Sequence, residues 1–211
     1  MWMGSIHPDK NDLWVYEDGC MVKREIEYIP GLYKIYDEIL VNARDQTIRD
    51  NTCKTIKVNI NQETGEISVW NDGKGIPVMM HKEYKIYVPE LIFANLLTST
   101  NYDQKGKITG GKNGLGAKLA NIYSKKFVID IVDSDSKKSY YQVCENNMFK
   151  INPPVIKTST GKSYTKISFT PDYERFSLEG LTDDIVALFK KRVYDIAGCT
   201  RNNVKVYLND E

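Results

Sequence analysis

Pro30-Gly-Leu-Tyr-Lys-Ile-Tyr-Asp-Glu38-Ile-Leu-Val-Asn42-Ala-Arg-Asp45 is the stretch from which the rest of the chain is read. Proline is tolerated in the first turn of a helix, where its missing N–H has no intrahelical partner. Leu32, Ile35, Tyr36, Ile39 and Ala43 then recur at the 3,4 spacing of an amphipathic stripe, which predicts a helix from Gly31 to about Arg49. Glu38, Asn42 and Asp45 stand at i, i+4 and i+7, so all three share one face beside that stripe. A solvated polar face is one reading of the trio. The other follows from the Asn at its centre: an amide oxygen serves a hard cation without adding charge, and a carboxylate one turn earlier is placed to polarise water. That chemistry needs a phosphate site nearby.

Outward from this helix, Ile56, Val58 and Ile60 alternate with polar residues, Gly65 lies in a polar break, and Ile67 and Val69 resume the alternation, which predicts a hairpin. Its second strand runs into Asn71-Asp-Gly-Lys-Gly-Ile-Pro77, too rich in turn formers to continue either element. The stretch is a simple turn or a flat-ligand site, since two glycines permit close backbone approach and the Asn71 amide can both donate and accept. Pro89 opens a second short helix through Leu97. A small, polar stretch from Thr98 to Gly114 precedes a helix from about Leu115 to Tyr123. Between them, Gly110-Gly111-Lys112-Asn113-Gly114-Leu115-Gly116-Ala117-Lys118 leads into that helix. It is either a plain connector or an anion cradle of glycine-freed amides backed by a helix end. P-loop chemistry is excluded because Ala117 stands where that motif has Lys, and a dinucleotide fingerprint fails at Leu119.

The remaining chain reads as antiparallel strands from Lys126 to Phe169, a helix from Leu181 to Ala197 stopped by Gly198, and a last strand from Val204 to Leu208. Composition agrees with one domain or two small ones: 211 residues, 41% apolar and 27% charged. No apolar stretch approaches the roughly 20 residues of a bilayer span, and Met1 to Pro8 lacks the pattern of a secretory signal, which suggests an intracellular protein without membrane contact. Four dispersed cysteines and two histidines make no zinc or disulfide pattern. With 29 basic against 28 acidic residues the net charge is +1, which lacks the dense basic face of a nonspecific DNA binder.

The order of these elements, with Thr165 in a late strand, resembles the nucleotide-binding boxes of the GHKL ATPases. Within that group Pro30 to Ala43, Tyr87-Val-Pro-Glu-Leu-Ile-Phe93, Leu96-Leu-Thr-Ser-Thr-Asn-Tyr102 and Arg192-Val-Tyr-Asp-Ile-Ala-Gly198 resemble the ATPase region of eukaryotic-type DNA topoisomerase II. The resemblance implies a Bergerat fold, a two-layer α+β sandwich with helices over one face of a mixed, mainly antiparallel sheet, formed by residues 1–211 as a single unit. It implies ATP and Mg2+ as ligands, with Glu38 as general base, Asn42 on the metal, and Asn71 at the adenine amino group with Thr165 behind it. Ser99, Thr100 and Asn101 would contact ribose and phosphates, residues Gly111 to Lys118 (Lys112, Asn113, Gly114, Leu115, Gly116 and Ala117 between them) would wrap the triphosphate, and Asp45 would support the mouth. It further implies a nuclear protein that meets DNA and homodimerises as the full-length enzyme, with this chain a monomeric fragment lacking the family's N-terminal arm and transducer domain. Other GHKL ATPases, chaperone or kinase, and a nucleotide-gated clamp with negligible turnover are the alternatives. Three positions depart from the pattern: Arg44 and Gln46 replace Ala and Asn after the metal-binding Asn, and Leu115 replaces a lid Tyr.

Overall fold

The computed structural model describes residues 4–96 and 115–210. Its centre is an eight-stranded sheet built from β3 (Thr55–Ile60), β4 (Ile67–Asp72), β5 (Ser124–Asp133), β6 (Lys138–Glu145), β7 (Lys150–Ile151), β8 (Val155–Thr158), β9 (Tyr164–Pro171) and β10 (Lys205–Leu208). The spatial order is β10-β3-β4-β9-β5-β6-β7, with β8 also pairing β6. Every pairing is antiparallel except that of β10 with β3. Alternation along the strands sends Ile56, Val58 and Ile60 of β3, Ile67 and Val69 of β4, and Ile167 and Phe169 of β9 to one face.

That face is covered by α1 (Pro30–Arg49), α3 (Gly116–Ile122) and α4 (Asp183–Gly198), while α2 (Val88–Phe93) packs against α3. The predicted stripe of α1, Leu32, Ile35, Tyr36, Ile39 and Ala43, is buried in this core. The Tyr36 ring stacks on Phe189 of α4 at 4.1 Å and its hydroxyl donates to the Phe189 carbonyl at 3.1 Å, so a buried phenol is fully used. At the other end of α1, Arg201 donates to the Thr47 and Ile48 carbonyls, which lack intrahelical partners.

A two-stranded sheet of β1 (Asp9–Glu17) and β2 (Cys20–Tyr28), which the alternation rule did not single out, precedes α1. Its turn is Asp18-Gly19 with φ of 49° and 81°, the left-handed pair that a two-residue hairpin needs. Only Val15 and Ile26 are buried within it, against Ala187 and Leu188 of α4, so its faces look mixed in sequence. Arg24 reaches Asp184 at 2.7 Å, and Asp184 also accepts from the Glu27 amide at 2.8 Å. The first helix runs as expected to Arg49, beginning one residue earlier at Pro30, while others differ at their ends. The second begins at Val88 and ends at Phe93, and the last begins at Asp183 because the Thr182 hydroxyl accepts from the Ile185 amide, then runs through Gly198.

Candidate functional site

The inward row across the middle of the sheet runs Ile56, Asn71, Thr165, Ile131, Tyr140 over five strands in register. All five strands thus point a residue inward at this level, and two of those residues are polar: the apolar stripe of β4, Ile67 and Val69, ends in an amide, and that of β9 begins with a hydroxyl. Asn71 is buried, and its Nδ2 donates to the Asp72 carbonyl at 2.9 Å and lies 3.9 Å from the Cys53 sulfur. The Oδ1 atom accepts no hydrogen bond among the described residues, so it is the end of the amide left for a ligand that donates.

The loop from Asp72 to Val78 is folded back over this polar pair. Gly75 lies so close to Thr165 that a methyl group on its α-carbon would approach the hydroxyl to 2.6 Å, and at Gly73, with φ of 91°, the same methyl would come within 2.7 Å of the Cys53 β-carbon. Asp50 anchors the loop by accepting from the Lys74 amide at 2.6 Å and from Thr52. Burial pushes the Asp50 carboxyl up, but the hydrogen bonds from Thr52 and Lys74 outweigh it and hold the group below the usual carboxylate range. The far end is pinned where the Val78 amide donates to Asp133 at 3.0 Å.

α1 forms the wall. Gln46 Nε2 donates to the Lys74 carbonyl at 2.5 Å, so this departure from the family pattern ties the helix to the loop. Glu38, Asn42 and Gln46 step along the helix one turn at a time, covering about 12 Å. Asn42 is half-buried and its amide makes no hydrogen bond among the described residues, which leaves its carbonyl oxygen open to a cation. Asp45 instead lies 3.3 Å from Arg44 and 3.8 Å from Arg49, a surface ion cluster of small energetic weight.

The third piece is the start of α3. Gly116 sits on the Glu38 carboxylate: a methyl at its α-carbon would fall 1.8 Å from Oε2. The other carboxylate oxygen meets Lys34 at 2.5 Å, an i,i+4 partner that was not singled out from the sequence although its spacing was readable there. Ala117 and Lys118 are buried and Leu115 is exposed. Burial pushes the Lys118 ammonium down from its ordinary range, and no acidic side chain pairs with it among the described residues. A buried cation without an anion is unfavourable unless one is delivered from outside. Ser99, Thr100, Asn101, Gly111, Lys112, Asn113 and Gly114 lie outside the described residues.

The structure therefore joins Glu38 with Gly116, Asn71 with Thr165, and the helix with the loop through Gln46. A carboxylate and an open amide on α1, a desolvated lysine on α3, and a free amide oxygen at Asn71 are the groups that suit a polar, anionic ligand. Gln46, Lys34, Asp50 and Gly75 carry the geometry without having been chosen as ligands.

Comparison with known proteins agrees. The profile describing histidine kinase-, DNA gyrase B-, and HSP90-like ATPases matches residues 27–174. Probable DNA topoisomerase 2 of Dictyostelium discoideum is 54% identical over 212 residues, spanning 100% of this chain and 14% of that protein. DNA topoisomerase 2 of Acanthamoeba polyphaga mimivirus is 51% identical over 217 residues, spanning 100% of this chain and 17% of its own length. The chain thus covers well under a fifth of these curated relatives. The crystal structure of the ATPase region of Saccharomyces cerevisiae topoisomerase II superposes with a TM-score of 0.92 at 46% identity, covering 100% of this chain and 56% of that one. On its fold, its matched residues and these likenesses, the chain is homologous to the ATPase region of DNA topoisomerase II and belongs to the histidine kinase-, DNA gyrase B-, and HSP90-like ATPase family.

Proposed function

We propose that residues 1–211 form the ATP-binding and hydrolysing unit of an ATP-dependent type II DNA topoisomerase, acting in the nucleus on DNA as part of a longer, dimeric enzyme. One observation carries the nucleotide reading: Gly116 packs so closely on the Glu38 carboxylate that a methyl there would displace it, so the start of α3 and the carboxylate share one tight space, with the desolvated Lys118 two residues on. Asn71, with Thr165 beside it, reads the adenine amino group through Oδ1, and Lys118 with the amides of the glycine segment receives the phosphates.

The chain's own donor set suits Mg2+, since Asn42 contributes a neutral oxygen and the substrate phosphates contribute the charge. When bound, the ion neutralises the polyphosphate and strengthens the phosphorus as an electrophile. Glu38 then orients a water molecule and takes its proton as the water oxygen bonds to the γ-phosphorus and the bond to the bridging oxygen breaks. Lys34 holds Oε1 of that carboxylate and leaves Oε2 as the acceptor.

Calorimetry with a non-hydrolysable ATP analogue tests the reading. Saturable, Mg-dependent binding that Asn42→Ala weakens by about tenfold is expected, equivalent to roughly 1.4 kcal/mol. No binding by a folded sample at millimolar analogue overturns it. Glu38→Gln should abolish hydrolysis in the longer enzyme while leaving analogue binding intact, because the carboxylate acts on water and its removal takes a negative charge away from a polyphosphate.

A further inference from the structure

The helices all pack on one face of the large sheet, α1 on β3 and β4, α3 on β5 and β9, α4 on β10, and among the described residues no helix covers the other face. Alternation sends to that open face a row that is consecutive in register: Tyr207 of β10, Lys57 of β3, Trp70 of β4 and Lys166 of β9. The Lys57 ammonium lies 5.6 Å from the centroid of Trp70 and 5.8 Å from that of Tyr207, so a cation is held between two rings. Tyr164, one row on, brings its ring to 6.0 Å from Trp70. Lys205 stands beside Tyr207 on the same face.

The charges on this face are unequal in their commitments. Asp130 accepts from the Tyr164 hydroxyl at 2.9 Å, Asp72 accepts from the Lys54 and Thr55 amides, and Glu145 pairs with Lys150 at 2.6 Å. Lys57, Lys166 and Lys205 make no ion pair among the described residues. The acids are thus hydrogen-bonded within the sheet, Asp130 standing opposite Lys166 in register, while the Lys57 ammonium is left between the rings of Trp70 and Tyr207. Interleaved cations and aromatic rings on an open sheet match a strand whose phosphates meet the former and whose unpaired bases stack on the latter, whereas a duplex hides its base faces.

We infer that this open face is a binding surface for single-stranded nucleic acid, separate from the nucleotide site. The near-neutral net charge hides it, because the three lysines are gathered by strand register and not by sequence.

The test is fluorescence anisotropy of the 211-residue chain with a labelled oligothymidylate long enough for one sheet, about 16 nucleotides. Saturable binding at low salt is expected, weakened about tenfold by Lys57→Glu with Lys166→Glu, and less, in the same direction, by Lys57→Gln with Lys166→Gln. The slope of log affinity against log salt should become shallower by about 0.7 for each lysine removed. Trp70→Leu should weaken binding without changing that slope, and Lys82→Glu with Lys85→Glu, in the loop before α2, should change neither. Circular dichroism establishes that each variant is folded. The variants should bind the Mg-ATP analogue as the parent does, so failure here leaves the nucleotide reading untouched. Absence of binding at low salt, parental affinity in the lysine variants, or tighter binding of a duplex of equal length overturns the inference.

Discussion

Gly116 and Asn71 each do something no other residue does at their positions. At Gly116 the three atoms nearest an added methyl, Oε2, Cδ and Cγ, all belong to the flexible Glu38 side chain, so the carboxylate swings aside and the fold survives. Gly116→Ala is therefore expected to leave the melting temperature near the parental value and analogue affinity within about threefold. Hydrolysis in the longer enzyme should fall by at least about a hundredfold, the usual weight of a positioned general base; steady-state ATPase assays beside calorimetry check this. Asn71 is distinguished by its register against Thr165 and by an Nδ2 already committed to the Asp72 carbonyl. Asn71→Ala should cost adenine nucleotides about 1 to 3 kcal/mol and leave inorganic triphosphate almost unaffected, measured by competition. Equal losses for both ligands would make Asn71 a turn residue.

At the scale of elements, the β1–β2 hairpin is held to α4 by a small apolar cluster around Val15 and Ile26, by the Tyr16 ring 4.2 Å from that of Tyr194, and by one focused polar contact. Asp184 takes both the Arg24 guanidinium and the Glu27 amide. Burial raises its carboxyl, but these partners outweigh it and leave the folded value lowered. Asp184→Ala should destabilise the chain by about 1 kcal/mol at neutral pH, a modest figure because both charges are partly solvated. A lowered folded pKa gives stability that is complete above the unfolded value of about 3.9 and lost as pH falls through the folded one. The gap between parent and variant should accordingly close in urea titrations below about pH 4.

The same hairpin marks what the sequence could and could not disclose. Helix α1 was legible because Leu32, Ile35, Tyr36, Ile39 and Ala43 obey one period and all are buried. In β1 and β2 only Val15 and Ile26 are buried while Trp14 and Met21 are exposed, so hydrophobicity and burial part company there, and the Asp18-Gly19 turn was the usable sign. At the site, Asn71 and Thr165 were identifiable as residue types, but their opposition depends on β4 pairing β9 across nearly a hundred residues of sequence, which no local rule supplies. Gln46 bonding to Lys74 is likewise a product of tertiary approach.

For the whole molecule, a ligand that touches α1, α3, β4 and β9 together joins elements from every part of the chain. If it binds only the folded form, analogue at a hundred times its dissociation constant adds about 2.7 kcal/mol, which for a chain of this size is a rise of about 5 to 10 °C in melting temperature. Differential scanning fluorimetry with and without Mg2+ measures it; a shift independent of the metal contradicts the Asn42 assignment.

The parallel strand β10 has a consequence for synthesis. Asn209 accepts from the Ile60 amide across a separation of 149 residues, and β10 lies along the outer side of β3. On the ribosome β3 can pair with β4 at once, yet its other edge stays bare until the last strand emerges, an interval of about 7 to 30 s at ordinary elongation rates. During that interval the nascent chain exposes a six-residue strand edge with Ile56, Val58 and Ile60 beneath it. Such an edge is a template for a neighbouring nascent chain or for a chaperone. Release from that hazard comes with residues 205–208, near the end of the chain, and a truncation just before them would leave the β3 edge permanently open.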